Sequence, residues 1–375
     1  MEAGETVENR KVRDPFFDNA RFLAVVLVVV GHTVTLFPLT EATKPAVLLL
    51  QTFRMPLLIV IMGHLARNFT FSDDKVYGLV THLALPYLTF ETLYSVFAWY
   101  TGQAAFSLQF LLPTYLMWFL MSVIIWRLTV PFWRKVRWPL PIAVTLSVIS
   151  YTHAMPHELT LRRLFALLPF FVLGVQLRRE HLKMLKKPGM PAVGALVLAG
   201  GAIFYYTGGR YVPEYWTYWD RGYAWLNVGL FPGVLIHLGV LLLAVILAAA
   251  VLTVVPARNT WFTVFGRRTM YAYLLHGFAT MALVHAGVTG NVFAQTLPGV
   301  LISAVAASVV ATLLCTSPVV RATSWLIEPK ARWLFRPSAL AAEDTAKAGP
   351  GNRRTDVGAC RTGIPSRPKE NVRTS

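Results

Sequence analysis

The chain has 375 residues, of which 55% are hydrophobic and only 14% are charged. Its 35 Lys and Arg outnumber 18 Asp and Glu, which gives a net charge of +17. Soluble domains carry about 25% charged residues, and a soluble fold of this size has no means of hiding so much apolar surface. The composition therefore excludes a soluble globular enzyme, a disordered protein and, with two cysteines, a disulfide scaffold. We expect an all-α, polytopic integral membrane protein.

Ten apolar segments along the chain are long enough to be read as membrane-crossing helices. The fifth and sixth are short, so we expect them to be tilted or partly re-entrant. The segments are 22–39, 45–66, 79–100, 110–130, 139–153, 164–177, 191–207, 227–255, 270–287 and 296–320.

The distribution of Lys and Arg predicts how these segments are oriented. With the N-terminus inside, 29 of the 35 basic residues fall on the cytoplasmic side, where basic residues gather in membrane proteins. One basic residue, Arg54, lies within the second segment, and only five lie outside: Lys44, Arg162, Arg163, Arg210 and Arg221.

This bias predicts ten spans with both termini in the cytoplasm. The chain then divides into a cytoplasmic segment 1–21, a transmembrane domain 22–325 and a basic, disordered cytoplasmic tail 326–375. A basic inner face suits anionic lipid head groups or an anionic cytoplasmic cofactor, and it explains the basic composition without nucleic acid. We expect the protein in a cell membrane, of the bacterial plasma-membrane type.

Arg21 and His32 lie on the first predicted span, eleven residues apart, which is close to three full helical turns. They therefore share one face, with His32 about 16 Å deeper than Arg21. Asp18 precedes Arg21 by three residues and is spaced to pair with it. The pattern favours a general base inside the bundle and an arginine for an anionic ligand at its mouth. The alternative is a packed histidine below an anchoring arginine.

Arg54, Pro56 and Glu91 lie in apolar segments, where an ionisable group costs about 2.5–3.5 kcal/mol and so needs a partner or a task. Pro56 leaves backbone carbonyls that protein or water must satisfy. Arg54 suits a phosphate, a carboxylate or Glu91, and Glu91 suits a proton relay or a substrate hydroxyl. The alternatives are a Pro-kinked packing helix and a buried ion pair. His276 is expected near the inner face as a structural, interfacial histidine.

Seven of the seventeen residues in the outer segment 210–226 are aromatic, and carboxylates lie among them. Aromatic faces with carboxylates suit a sugar ring, so Tyr215, Trp216, Trp219 and Asp220 are candidates for substrate binding; the alternative is an interfacial aromatic belt. His153 and His157 have a spacing that fits a metal, but no third ligand is evident and we predict no metal site.

Four groups of residues together resemble the membrane acyltransferase-3 family, and within it the fucose 4-O-acetylase-like branch. The resemblance covers about residues 13–325, and the Arg21–His32 pair is its most specific element. The groups are Arg13, Asp18, Arg21 and His32; Phe53 to Leu57 with Gly63; Trp118, Phe119 and Leu120; and Tyr273 to His276.

The resemblance implies transfer of an acyl group from acetyl-CoA to a glycan hydroxyl, with no permanently bound cofactor. It implies that His32 is the catalytic base and that Arg21 lies near the acyl donor. Arg134, Lys135 and Arg137 match the family's cytoplasmic Arg-x-x-Arg and are expected to meet the CoA phosphates. In the second span this chain has Arg54 and Met62, where the family usually has histidine and serine.

Residue pattern and resemblance together predict an integral membrane O-acyltransferase. His32 removes a proton from the acceptor hydroxyl, Arg54 stabilises the developing oxyanion, and Glu91 assists. The expected partners are acyl-CoA, a carbohydrate or glycosylated acceptor and membrane lipid. The alternative is a secondary transporter or flippase for a lipid-linked or anionic substrate, because Pro-broken helices with buried charges are typical of transporters as well.

Overall fold

The computed structural model describes residues 14–156 and 158–335, which form helices and loops with no β-strand among them. The predicted all-α fold is confirmed for these residues. His157 and the tail beyond residue 335 lie outside them, as does Arg13. The helices are α1 Pro15–Val34, α2 Lys44–Ala66, α3 Asp73–Leu79, α4 Leu85–Tyr100, α5 Met117–Trp133, α6 Pro139–Thr152, α7 Leu161–Ala166, α8 Leu168–Gln176, α9 Arg179–Leu185, α10 Met190–Thr207, α11 Tyr215–Tyr218, α12 Leu230–Val254, α13 Thr269–His285, α14 Leu297–Leu314 and α15 Ser317–Ile327.

Five of these helices are long and apolar enough to cross a membrane, namely α1, α2, α10, α12 and α14. The other predicted spans correspond to shorter or interrupted helices, so the count of ten spans and the cytoplasmic termini stay predictions. The helices α1 and α2 are largely buried inside the protein, whereas α10 and α14 expose most of their apolar surface. The polar residues of the first two spans are therefore held at the centre of the bundle.

The first helix begins at Pro15, seven residues before the predicted span. Asp14 caps it by accepting the backbone N–H of Phe16 at 3.0 Å, and proline is favoured in the first turn because its missing N–H is not needed there. Asp18 and Arg21 are therefore helical, not part of a preceding segment. The predicted pairing is present: Arg21 donates a hydrogen bond to Asp18, which is only 2% exposed.

Proline explains two further differences from the predicted spans. A π-helical turn, Val80–Ala84, joins α3 to α4 just before Pro86, whose ring and missing N–H disturb the regular hydrogen bonds of a preceding turn. The predicted span 164–177 is divided between α7 and α8 at Leu167, ahead of Pro169.

The helix α5 begins only at Met117, so residues 101–116 form a long connection instead of the start of a span.

The described start of the predicted disordered tail is ordered. The helix α15 extends to Ile327, and the hydroxyl of Tyr77 donates to the carbonyl of Lys330 at 2.7 Å. The ring of Phe335 packs edge-on against Tyr77, with 4.8 Å between centroids. Residues 326–335 therefore contact α3 through Lys330 and Phe335, and the domain boundary at residue 326 stays a prediction.

Two glycines allow α2 and α8 to pack with their backbones in contact. A Cβ built on Gly174 would lie 3.0 Å from the Cα of Gly63 and would overlap the carbonyl oxygen of Val60. Close approach at small residues is the usual basis of helix association within membranes, where apolar side chains gain little by leaving lipid.

We expect Gly174→Ala to lower the apparent Tm of the purified protein, because the added methyl group forces α8 away from α2 at a cost of about 1–3 kcal/mol. Gly200→Ala on α10 is the matched control, since no atom lies within 4 Å of its Cβ position. Thermal unfolding in one detergent measures both variants. Equal Tm values for the two would show that the contact between α2 and α8 is not tight.

Candidate active site

His32 lies on α1, half-buried, and its ring borders a cavity of about 350 Å³ that we call the imidazole cavity. Five helices, α1, α2, α5, α7 and α11, and three connections contribute to its wall. Residues that line it include His32, Arg54, Tyr115, Arg163 and Trp219. One cavity is thus bordered by an imidazole that can accept a proton and by the guanidinium groups of two arginines.

The ring of His32 is held by a second histidine. Its Nδ1 lies 3.1 Å from Nε2 of His276, and Nδ1 of His276 lies 2.9 Å from the carbonyl oxygen of Ala272. The two rings are nearly parallel, with 5.3 Å between centroids. The hydrogen bonds from Ala272 to His276 to His32 leave Nε2 of His32 as the ring nitrogen without a hydrogen-bond partner among the described residues.

The expectation that His276 lies near the inner face was wrong, because it is fully buried at the depth of His32. The 3₁₀ helix Thr263–Arg267 precedes α13, and its Gly266 packs against the backbone of Asp18 at the base of α1. Ten residues further on, a helical path has risen about 15 Å or more, which brings His276 level with His32. The prediction measured the depth of His276 from the start of α13 alone, and so it left out the rise along the preceding 3₁₀ helix.

Arg54 lies against the backbone of α1 at Gly31, next to His32. A Cβ on residue 31 would overlap the guanidinium group, so only glycine leaves room for it. Arg54 is 6% exposed, and its Nη1 has no hydrogen-bond partner among the described residues. A buried, unpaired donor is costly to leave unsatisfied, which favours a negatively charged or oxygen ligand in this cavity.

Glu91 does not pair with Arg54 or with a histidine, as one reading of the sequence proposed. Both of its carboxylate oxygens accept the backbone N–H of Thr114, at 2.9 and 3.0 Å. The next residue, Tyr115, has a positive φ of 49° and places its ring in the imidazole cavity, where its hydroxyl donates to Thr280 at 3.0 Å. Glu91, which is 0% exposed, thus anchors the connection that presents Tyr115.

Arg21 lies at the other end of α1, where it borders two further cavities. One, the basic cavity, measures about 930 Å³, and Arg67, Lys183 and Lys186 also line it. The other, the narrow cavity, measures about 200 Å³ and includes Arg267. From the sequence, these additional basic residues were interpreted only as indicators of membrane topology, because nothing in their spacing relates them to Arg21.

The narrow cavity approaches the imidazole cavity to within one layer of side chains. Tyr273 lines it, and the ring of Tyr273 lies 6.1 Å from that of His276. The hydroxyl of Tyr273 donates to the carbonyl of Leu116, which lines the imidazole cavity. The two cavities therefore lie on opposite sides of Tyr273 and Leu116.

The other residues predicted to bind the acyl donor lie away from these cavities. Arg134, Lys135 and Arg137 are exposed beyond the end of α5, and none of them lines the cavities that Arg21 borders. Arg137 packs on the ring of Trp138 at 5.6 Å. Their contact with CoA phosphates stays a prediction.

Only part of the aromatic segment 210–226 faces the site. Trp219 lines the imidazole cavity, and Asp220 pairs with Arg163 at 2.8 Å. Tyr215 packs on Trp225 with 4.7 Å between ring centroids, and Trp216 is buried and stacked on Tyr151 at 6.4 Å.

Tyr215 and Trp216 do not line the imidazole cavity, and their contact with a substrate stays a prediction. Pro56 is buried inside α2, two residues beyond Arg54.

One of three comparisons with known proteins found a match. The family model described as an acyltransferase domain matches residues 14–317, which is most of the chain. The comparisons with curated proteins and with solved structures gave no match. The match runs from the residue that caps α1 to the first residue of α15, so it includes every helix that borders the imidazole cavity. The chain belongs to the acyltransferase-3 family and is a membrane acyltransferase.

Proposed function

We propose that this acyltransferase moves an acetyl group from acetyl-CoA on the cytoplasmic side to a hydroxyl of a carbohydrate or glycosylated acceptor on the outer side. The observation that carries the proposal is that His32 and Arg54 line the imidazole cavity, while only Tyr273 and Leu116 separate this cavity from the narrow cavity at the Arg21 end. The narrow cavity extends from Arg21 to Tyr273, and the imidazole cavity has Trp219 in its wall.

The donor side of the proposal rests on charge. CoA carries several phosphate charges, and Arg21, Arg67, Lys183, Lys186 and Arg267 border the two cavities at the Arg21 end. Cations near a phosphate bind it by charge-assisted hydrogen bonds. The pantetheine arm then runs along the narrow cavity, whose apolar residues include Leu58 and Phe119, and the thioester reaches the level of His32 once Tyr273 moves aside.

The chemical step needs one base and one oxyanion partner. Nε2 of His32 takes the proton of the acceptor hydroxyl as its oxygen bonds to the thioester carbonyl carbon. Arg54 donates to the carbonyl oxygen while that oxygen carries negative charge. The C–S bond then breaks, and the proton on His32 passes to the CoA thiolate. The products are the acyl ester and CoA, with His32 returned to its neutral form.

His32→Ala tests the base. We expect transfer of labelled acetyl from acetyl-CoA to the glycan fraction of membranes to fall by about 10²- to 10⁴-fold, with expression unchanged. His285→Ala, an exposed histidine at the end of α13, is the control and keeps wild-type transfer. Wild-type transfer by His32→Ala contradicts the assignment. Movement of a labelled glycan across the membrane without CoA supports the transporter or flippase instead.

Lys186 predicts a pH dependence of donor binding. It follows α9 outside the apolar helices, and burial lowers its pKa to about 8. The ammonium group is charged below pH 8 and neutral above it, so its attraction for phosphate is lost as the pH rises through 8. We expect the KM for acetyl-CoA to increase between pH 7.5 and 9.5.

The Lys186→Arg variant separates this effect from others. Arginine stays charged over the whole range, so its KM is expected to stay flat, whereas Lys187→Arg at the exposed neighbouring position keeps the wild-type profile. Superimposable pH profiles for Lys186→Arg and the wild type contradict a role for Lys186 in donor binding.

A further inference from the structure

We infer that His276 is a positioning residue that holds His32 in the tautomer with its proton on Nδ1 and its lone pair on Nε2. The inference rests on the proposed function only where it gives His32 the role of the base. The hydrogen-bond chain itself is a property of the fold, and it is open to measurement without any acyl transfer.

The positions of the protons follow from the carbonyl group of Ala272, at the end of this series of hydrogen bonds. A backbone carbonyl oxygen only accepts hydrogen bonds, so the contact between Ala272 and Nδ1 of His276 requires the proton to be on that nitrogen. A neutral His276 then has its lone pair on Nε2 and can only accept there. Nδ1 of His32, at 3.1 Å, must be the donor.

Burial keeps His276 neutral. Its side chain is fully buried, and the guanidinium group of Arg54 lies against Gly31, adjacent to His32. A second and third positive charge in the same apolar space would be strongly unfavourable, because a buried charge without a counterion loses its hydration. Among the described residues, Glu91 is committed to Thr114 and supplies no counterion to either ring.

The consequence is a base with one defined direction. An unconstrained imidazole exchanges between two tautomers, and only the one with a free Nε2 can take a proton from a group in the imidazole cavity. After Nε2 accepts the proton, Nδ1–H of His32 still donates to His276, so the ring does not turn away before the proton leaves. His276 touches no reacting atom in this arrangement.

Two substitutions of His276 distinguish positioning from mere packing. In His276→Gln the side-chain carbonyl can accept from Nδ1 of His32, whereas in His276→Leu no acceptor remains. We expect His276→Leu to lower kcat by about 10- to 10²-fold with little change in KM, less than the loss of the base itself, and His276→Gln to recover most of the rate.

A spectroscopic measurement tests the tautomer directly. The protein, labelled with ¹⁵N-histidine in lipid nanodiscs, gives imidazole nitrogen shifts, and His32→Gln identifies the signals of His32. We expect a protonated Nδ1 and an unprotonated Nε2 in the wild type and in His276→Gln, and a mixture of tautomers in His276→Leu. A wild-type His32 with its proton on Nε2, or an unchanged tautomer in His276→Leu, overturns the inference. A clear tautomer result without any acetyl transfer would instead place the failure with the proposed function.

A second inference rests on a different observation, the charge at the outer end. We propose that the cavity next to the imidazole cavity binds an anionic group of the acceptor. This cavity, the arginine cavity, measures about 450 Å³ and is lined by Arg162, Arg163 and Arg221 with Asp220 as a single carboxylate. The inference deepens the proposed function by naming the charge of the acceptor.

The position of these arginines is unusual for the predicted outer side. The sequence places only five of its 35 basic residues there, and three of the five border this one cavity. Lys44, another of the five, lies 3.9 Å from Glu214 and is compensated. One carboxylate for three guanidinium groups leaves the arginine cavity with a surplus of positive charge.

The geometry relates this cavity to the site of chemistry. Arg163 lines both the arginine cavity and the imidazole cavity, and it pairs with Asp220 at 2.8 Å. The guanidinium carbon of Arg221 lies 4.5 Å from the ring centroid of Trp225, and its Nε lies 3.6 Å from Asp220, so Arg163 and Arg221 share this one carboxylate. Because Arg163 and His32 line the same cavity, an anionic group bound among these arginines lies one side chain away from the cavity that holds His32.

The test uses two methyl glycosides that differ in one carboxylate. Saturation-transfer NMR is recorded for methyl glucuronide and methyl glucoside with the protein in nanodiscs of phosphatidylcholine. We expect signals from the glucuronide alone and their loss in Arg221→Gln, whereas Arg321→Gln, an exposed arginine on α15, retains them. Equal signals from both glycosides, or no effect of Arg221→Gln, overturns the inference.

A second arm of the same experiment identifies the source of the anion. If phosphatidylglycerol in the nanodiscs abolishes the glucuronide signals, a lipid phosphate competes for the cavity and the anion site is supported with lipid as its ligand. If the signals persist, the acceptor's own carboxylate is the preferred ligand. No acyl donor is present, so the result is independent of whether acetyl transfer occurs.

Discussion

The contact of Arg54 with the backbone of α1 at Gly31 is the constraint on which the centre of this protein depends. It places a guanidinium group, buried and with an unpartnered Nη1, beside His32 inside an apolar bundle. A charge in such surroundings is stable only when a partner, a ligand or water compensates it. In the part of the chain that the structure describes, no carboxylate pairs with Arg54, since Glu91 is held by Thr114, and so the cavity is adapted to a ligand that carries or develops negative charge.

The helices around this contact separate two kinds of access. At the Arg21 end, basic side chains surround cavities that suit a phosphate-bearing donor, and Tyr273 lies between them and the histidine pair. At the Trp219 end, the imidazole cavity adjoins a cavity lined by three arginines. Under the proposed function, this division lets the donor and the acceptor approach one half-buried imidazole from different ends of the bundle.

The sequence predicted well those features that lie within one helix. Asp18 and Arg21 pair as their spacing of three residues requires, and Arg21 and His32 lie on one continuous helix. Prediction from the sequence failed for residues whose positions depend on contacts between distant segments of the chain. His276 was placed too shallow because the rise of the 3₁₀ helix before α13 depends on the packing of Gly266 against Asp18, 248 residues earlier in the chain. Tyr115 was missed because its place depends on Glu91, and no local pattern relates the two.

By itself, the sequence determined that this is an all-helical membrane protein. It also determined the positions of the polar residues along each helix and the presence of the acyltransferase-3 motifs. These are properties of hydropathy and of helical repeat, which depend only on residues close in the chain. The tertiary structure alone decided which polar groups meet: His32 with His276, Arg54 with Gly31, and Arg163 with Asp220. Side-chain pairing across a bundle depends on how helices are displaced along their axes, and that displacement is set by packing at a few glycines and prolines that hydropathy does not register.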